Sequence, residues 1–291
     1  MSVSHLKITG IVGLALVCLA ASAARPVEED IAPGAEEDGT IPVVDIPDET
    51  NIASGEPFKR WMKSHGWQSE FGSPEYFYVS EGKLHMVSKP GPVYNDRFSL
   101  AIFNREKLVE GMENKVLLRV VGGRNFRIDP REYPYIRFRM APVQLPGEGA
   151  DLLDPSRNDS AFYLLVGFDT ERHEFEGRAM PETVAYVWAN REWDEPVGSD
   201  SDYSEFLRYI AVGHGNDAPG APREFARNVA RDYRRLFPDS RGEVPDVIQV
   251  GLMIDSNTVG GTAKSIVHHV RFETKKVYES EFSRDGGEEG R

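Results

Sequence analysis

Apolar positions along the chain fall into short runs of strand length, separated by turn signals. Val247, Ile248, Val250, Leu252, Met253 and Ile254 form one such run. Its nearly continuous apolar character predicts a strand packed inside a sheet. Asp255 to Gly261 reads D-S-N-T-V-G-G, a dense turn signal, and Ser265 to Phe272 returns as a second strand rich in β-branched residues. Further strands are predicted at Glu75–Ser80, Lys83–Ser88, Ser99–Asn104, Lys115–Val121, Tyr135–Ala141, Ala161–Phe168, Thr183–Ala189 and Phe206–Val212. Ile136, Phe138 and Met140 alternate with Arg137, Arg139 and Ala141, the pattern of a half-buried strand. Ala161 to Val166 is almost unbroken apolar sequence, as in a central strand. One helix is predicted between Pro222 and Pro238, where Phe225, Val229, Tyr233 and Leu236 share a helical face and Arg223, Arg227, Arg231, Arg234 and Arg235 form another. Many short strands with one packed helix predict an all-β, jelly-roll-like β-sandwich over about 56–276.

The ends of the chain differ from this body. Lys7, the apolar run Ile8–Ala20 and the small residues Ala21-Ser22-Ala23 have the form of a secretory signal peptide over 1–23, too short for a membrane span. The expected location is therefore periplasmic or secreted. The single cysteine, Cys18, lies in that segment, and bulky Val17 disfavours a lipid anchor on it. A mature chain would have neither thiol nor disulfide, so its stability has to come from its core. Residues 24–55 are acidic and Pro-rich and read as a disordered leader, within which Ile41–Val44 and Ile46 could clip on as an extended edge. Residues 277–291 read as a polar tail. The net charge of −13 argues against non-specific nucleic-acid binding and against docking on anionic lipid.

Five segments, in order, carry a family resemblance. Tyr133-Pro134-Tyr135-Ile136-Arg137-Phe138-Arg139, Asp159 to Asp169, Ala185-Tyr186-Val187-Trp188-Ala189, Arg231-Asp232-Tyr233-Arg234-Arg235-Leu236-Phe237 and Gly251 to Thr258 resemble strands and a helix of the domain-of-unknown-function family numbered 3047. The resemblance covers Tyr133 to Phe272. It implies a secreted bacterial protein with a sandwich similar to galactose-binding-like and carbohydrate-binding jelly rolls, and no established activity. The chain departs from the family pattern at Asp255-Ser256-Asn257, which has one carboxylate fewer, and at His268-His269. Both departures count against a carboxylate-based metal site.

Three kinds of chemistry compete. Trp188, Asn190, Arg191 and Trp193 place indoles beside amide and guanidinium groups, the combination that stacks on sugar rings and bonds their hydroxyls. Trp188 follows Tyr186 by two residues on one strand face, so it also has a core reading; Trp193 is expected to be exposed. For a structural calcium ion, Asp255, Asn257 and Asp159 are the oxygen donors, without regular spacing. No zinc site is legible. His268 and His269, adjacent on a strand, should point to opposite faces. For catalysis there is neither a G-x-S-x-G nor an H-E-x-x-H motif. A lyase acting on acidic glycan would have to draw on Tyr186, His214, Arg208 and Asn190.

The reading that follows is a non-catalytic carbohydrate-binding domain, with Trp188, Asn190, Trp193, Arg208, His214, Asp255 and Asn257 as ligand residues. No cofactor is expected, and the partner is a glycan or envelope polysaccharide. The alternatives are an enzyme on acidic polysaccharide and a structural envelope protein that uses the acidic leader.

Overall fold

The computed structural model describes residues 39–71, 76–89, 115–121, 127–175, 178–193, 205–215, 219–240, 242–256 and 258–285. The expected strand Ser99–Asn104 and the expected ligand residue Asn257 lie outside them. In chain order the elements are β1 (Thr40–Val44), α1 (Glu56–Ser64), β2 (Trp67–Phe71), β3 (Tyr78–Ser80), β4 (Lys83–Ser88), β5 (Lys115–Val121), β6 (Tyr135–Gln144), β7 (Ser160–Phe168), β8 (His173–Phe175), β9 (Arg178–Met180), β10 (Thr183–Ala189), β11 (Leu207–His214), β12 (Arg223–Asn228), α2 (Val229–Leu236), β13 (Val247–Asp255), β14 (Ala263–Glu273) and α3 (Lys275–Asp285).

The all-β sandwich expected from the sequence is the fold. One sheet runs β12-β6-β14-β4-β3, with β1 also pairing β14, and the other runs β11-β10-β7-β13-β5-β2. All described pairings in these two sheets are antiparallel except β10 with β11. A parallel pair needs a long crossover, and Trp193 lies just past the end of β10, where the chain leaves toward β11.

Side-chain alternation assigns the layers. Ile136, Phe138 and Met140 of β6 meet Phe162, Leu164 and Val166 of β7, Val184, Tyr186 and Trp188 of β10, and Val250, Leu252 and Ile254 of β13 in one core. The intervening residues Tyr163, Leu165, Ala185, Val187 and Met253 point to the outer face of the second sheet. There Leu152, Tyr209, Leu207 and Trp193 join them in a second apolar cluster. Apolar packing on both faces explains why β7, β10 and β13 read as almost unbroken hydrophobic runs.

Two helices close the sides of the sandwich. Pro57 near its start, Glu56 in its first turn and Lys63 in its last suit α1 to the helix dipole, and its buried Phe58 and Met62 are one turn apart. Gly66, at φ 76°, ends it and lets the chain turn into β2. On the opposite side, α2 begins later than the Pro222 start predicted from periodicity. Arg223–Asn228 instead pair with Met140–Tyr135 as edge strand β12. Asn228 Oδ1 then accepts from the Arg231 N–H at 2.9 Å and caps the helix. The spacing misleads because Phe225 faces the core from the strand, where Phe138 stacks on it at 5.2 Å. Two additions concern the chain ends. Ile41 and Val44 of β1, in the stretch that reads as a disordered leader, are buried against β14, and Lys275–Asp285, which runs from the end of the body into the stretch that reads as a polar tail, forms α3.

A tight β3–β4 hairpin supports β1. Glu81 at φ 50° and Gly82 at φ 69° make its two-residue turn. A side chain on Gly82 would meet Asp48 Cα at 2.6 Å and the carbonyl oxygens of Pro47 and Ile46 at 2.7 and 2.8 Å.

Candidate functional site

The residues that the sequence singles out do not converge. Trp188 is 1% exposed, donates from Nε1 to the Gly215 carbonyl at 2.9 Å, and lies in the inner core. Gly213 packs so closely on its ring that a Cβ there would stand 2.3 Å from Cζ3. Trp188 is thus a core residue and presents no open platform. Trp193 is on the opposite face of the same sheet. It is half-buried rather than exposed, set against the outer apolar cluster with its ring 6.4 Å from that of Tyr209. Its Nε1 is buried with no partner among the described residues, as is Asn190 Oδ1. Asn190 donates from Nδ2 to the Ala150 carbonyl at 3.0 Å, and Arg191 pairs with Asp151 at 2.9 Å, so both pin the crossover to the loop below it.

Arg208 and His214 stand six residues apart on β11, on the order of 20 Å at ~3.3 Å per residue. The Arg208 guanidinium lies over Phe237, 5.7 Å from the ring centre. Asp255 is buried at the end of β13. Asp159, the other oxygen donor considered for calcium, is fully buried and already engaged: its carboxylate accepts from the Thr258 N–H at 3.0 and 3.1 Å and from the Val259 N–H at 2.7 Å. It clamps the 255–261 turn. Among the described residues no group of three or more His, Cys, Asp or Glu is placed to hold a metal ion.

The segments that carry the family resemblance meet one another as architecture. Tyr186 donates to Asp232 Oδ2 at 3.0 Å, and Arg227 grips both oxygens of Asp232 at 3.0 Å. Tyr233 donates to Glu182, and Ser240 does so at 3.2 Å. Ser160 donates to the Trp188 carbonyl at 2.7 Å. Burial, then the neighbouring Asp232 carboxylate, push the Tyr186 phenol well above its ordinary range, so it remains a donor. This network fastens α2 to β10. It also engages Arg227, while Arg223 lies over Trp188 at 4.9 Å, so the arginines of the predicted helix do not form one outward strip.

Aromatic and polar groups do converge at the side closed by α1. A cleft of about 250 Å³ opens between α1 and the segment from Pro42 to Ile46, with Trp61, Met62, His65, Trp67 and Leu84 completing its wall. Its floor is apolar: Val44, Ile46, Met62, Trp67 and Leu84 are all buried. Trp61 is half-buried and its ring lies 4.7 Å from that of His65, tilted by 31°. His65 Nδ1 is 2.8 Å from the Trp61 carbonyl oxygen. A carbonyl can only accept, so Nδ1 carries the hydrogen and Nε2 of the neutral ring is left as an acceptor. Asp45 adds an exposed carboxylate. An indole face, an imidazole acceptor and a carboxylate around an apolar floor suit a ligand with one hydrophobic face and several hydroxyl donors. None of these residues was singled out as functional from the sequence. The available signal was Pro57 followed by Phe58, Trp61 and Met62 at helical spacing and then Gly66, which marks a short amphipathic helix but not what its Trp61 faces.

Comparison with known proteins adds one finding. A family described as "Protein of unknown function (DUF3047)" matches residues 121–271. No curated protein matches the chain.

Proposed function

Since the chain belongs to the family described as "Protein of unknown function (DUF3047)", its function has to be read from its geometry, and we propose that it is a non-catalytic glycan-binding protein whose sugar subsite is the α1–β1 cleft. The observation that carries this reading is the cleft of about 250 Å³ lined by Trp61 and Trp67 together with Asp45 and His65. That volume suits a single ring, below the ~300–1,000 Å³ of sites for larger ligands. Trp61 would stack on the apolar face of a sugar, and Asp45 and His65 Nε2 would accept from its hydroxyls. The signal-like N-terminus is consistent with a glycan met outside the cytoplasm. The enzyme alternative has no comparable support: Arg208 and His214 stand at opposite ends of β11, and Tyr186 is 0% exposed, bonded to Asp232.

The test is affinity electrophoresis of the full chain through gels containing neutral and acidic polysaccharides, followed by Trp61→Ala in the gel that retards the parent. Loss of one stacking contact should weaken binding by about 2- to 13-fold, the equivalent of ~0.5–1.5 kcal/mol. Retardation that survives Trp61→Ala and Asp45→Asn unchanged would move the site away from the cleft. Absence of retardation in every gel would refute the glycan reading.

A further inference from the structure

The outward face of the first sheet carries a second set of groups. On β14, the inward residues Val267 and Val270 are separated by two positions, because the pairing with β6 slips between Val267 and His269. Strict alternation would send His268 and His269 to opposite faces. The bulge instead puts both half-buried imidazoles on the outward side. Across β6 from His269 stands Arg139, exposed, and beyond it Glu224 of β12. His269 Nε2 lies 3.0 Å from Glu224 Oε1. Lys83 of β4 faces the same row and is 3.4 Å from Glu81 of the hairpin turn. Next to it, His85 stacks on Tyr78 of β3 at 4.4 Å. On the other flank Arg137 and Arg271 share one buried carboxylate, Glu273, each at 2.7 Å.

The cations of this face therefore exceed its carboxylates at neutral pH, in a chain whose net charge is −13. His268 and His85 add further positive charge on acidification. Burial, then Arg139, Lys83 and His269, hold His268 below its ordinary range; burial and Lys83 do the same for His85. A bound carboxylate would offset the repulsion from Arg139 and Lys83 and so favour the charged imidazoles.

We propose that this face docks a carboxylated polysaccharide, with Arg139 and the His268–His269 bulge contacting its uronate groups. The occupant follows from charge and shape. The face is a shallow strip with fixed cations spread over neighbouring strands, which matches charges spaced one per sugar. Duplex DNA, at one charge per ~1.7 Å, would bring far more negative charge to an acidic chain than this face can neutralise. The Tyr78–His85 pair at one end offers ring surface for a sugar. The surface is separate from the α1–β1 cleft, and the proposal goes beyond the sugar subsite placed there.

The experiment measures binding of the full chain to immobilised polygalacturonate at pH 7.5 and 5.5, with duplex DNA and anionic phospholipid vesicles as comparators. Polygalacturonate stays ionised at both values, so any gain on acidification comes from the protein. The expected result is tighter binding at pH 5.5, weakened by added salt. Arg139→Gln should weaken binding about two- to fivefold at both pH values, the worth of one exposed ion pair. The double variant His268→Asn/His269→Asn should abolish most of the gain at pH 5.5, so that its binding at the two pH values becomes nearly equal. Trp61→Ala is measured beside them: loss of binding with Arg139→Gln supports the docking face, whereas loss with Trp61→Ala and none with Arg139→Gln overturns it and leaves the cleft reading standing, so the two readings fail separately. Equal binding at the two pH values, insensitivity to Arg139→Gln, or stronger capture by DNA or vesicles would each overturn it. An unchanged thermal midpoint in the variants verifies that they are folded.

Discussion

Replacing Arg227 by Met should cost about 3–5 kcal/mol, although the residue touches no ligand cleft. Asp232 is 1% exposed, and its two oxygens accept from Arg227 Nε and Nη2 at 3.0 Å and from the Tyr186 hydroxyl at 3.0 Å. Removing the guanidinium leaves a buried carboxylate with a single phenolic donor, and breaking one side of a buried pair has that price. Tyr186→Phe removes one hydrogen bond to a charged group and leaves the pair intact, so about 1.5–3 kcal/mol is expected. The triple variant Tyr186→Phe/Arg227→Met/Asp232→Leu removes every polar member at roughly constant volume. It should lie within about 1.5 kcal/mol of the parent, far less than the sum of the single changes. Urea unfolding followed by tryptophan fluorescence, with Trp188 as a buried reporter, measures all of these, provided the slope of the transition stays constant. Additive costs, or an Arg227→Met cost below about 1 kcal/mol, would show that the network does not hold α2 to β10 and would refute the reasoning.

Three further outcomes follow from the same kind of argument. Asp159→Ala should cost about 2–4 kcal/mol, because two backbone donors of the 255–261 turn lose a charged acceptor; Asp159→Asn should cost less, and hydrogen exchange at the Thr258 and Val259 amides should accelerate in both. Gly82→Ala should destabilise by about 2–4 kcal/mol, since its Cβ would collide with backbone atoms of 46–48 and φ 69° disfavours a side chain; a thermal midpoint within a degree of the parent would contradict the packing. His268 has a folded pKa below its unfolded one, so below about pH 6.5 the unfolded state binds more protons than the folded state, and stability declines as pH falls through that window. His268→Asn should therefore lose less stability between pH 7 and 5.5 than the parent, read from urea midpoints at each pH.

Much of the fold was legible in the sequence, because burial leaves a direct mark on it. β7, β10 and β13 are apolar on both faces and show as unbroken runs; β6 is apolar on one face and shows as alternation. The stretch 24–55 reads as a disordered leader because acidic and Pro-rich residues mask the few apolar ones; Ile41, Val44 and Ile46 hinted that part of it could clip on, and the structure pairs β1 with β14. Short edge elements left weaker marks. Phe225 and Val229 have helical spacing, yet one belongs to β12 and the other to α2, because pairing with β6 satisfies the backbone of Arg223–Asn228 before Asn228 can start a helix.

The site was much less legible, for a physical reason. Composition and local spacing determine which residues seek burial, and so they identified the central strands and the layered class, while the family was legible from the five segments that resemble it. They do not determine which side of a strand faces solvent once the ladder slips by one residue, and so the bulge at His268 reversed an expectation drawn from strict alternation. Nor do they determine which distant segments become neighbours. Trp188 and Trp193 are five residues apart and lie on opposite faces of one sheet, whereas Asp45 and His65 are brought to one cleft by the packing of α1 against β1. Proximity across the sandwich is a property of its packed layers, and only the tertiary structure decided it.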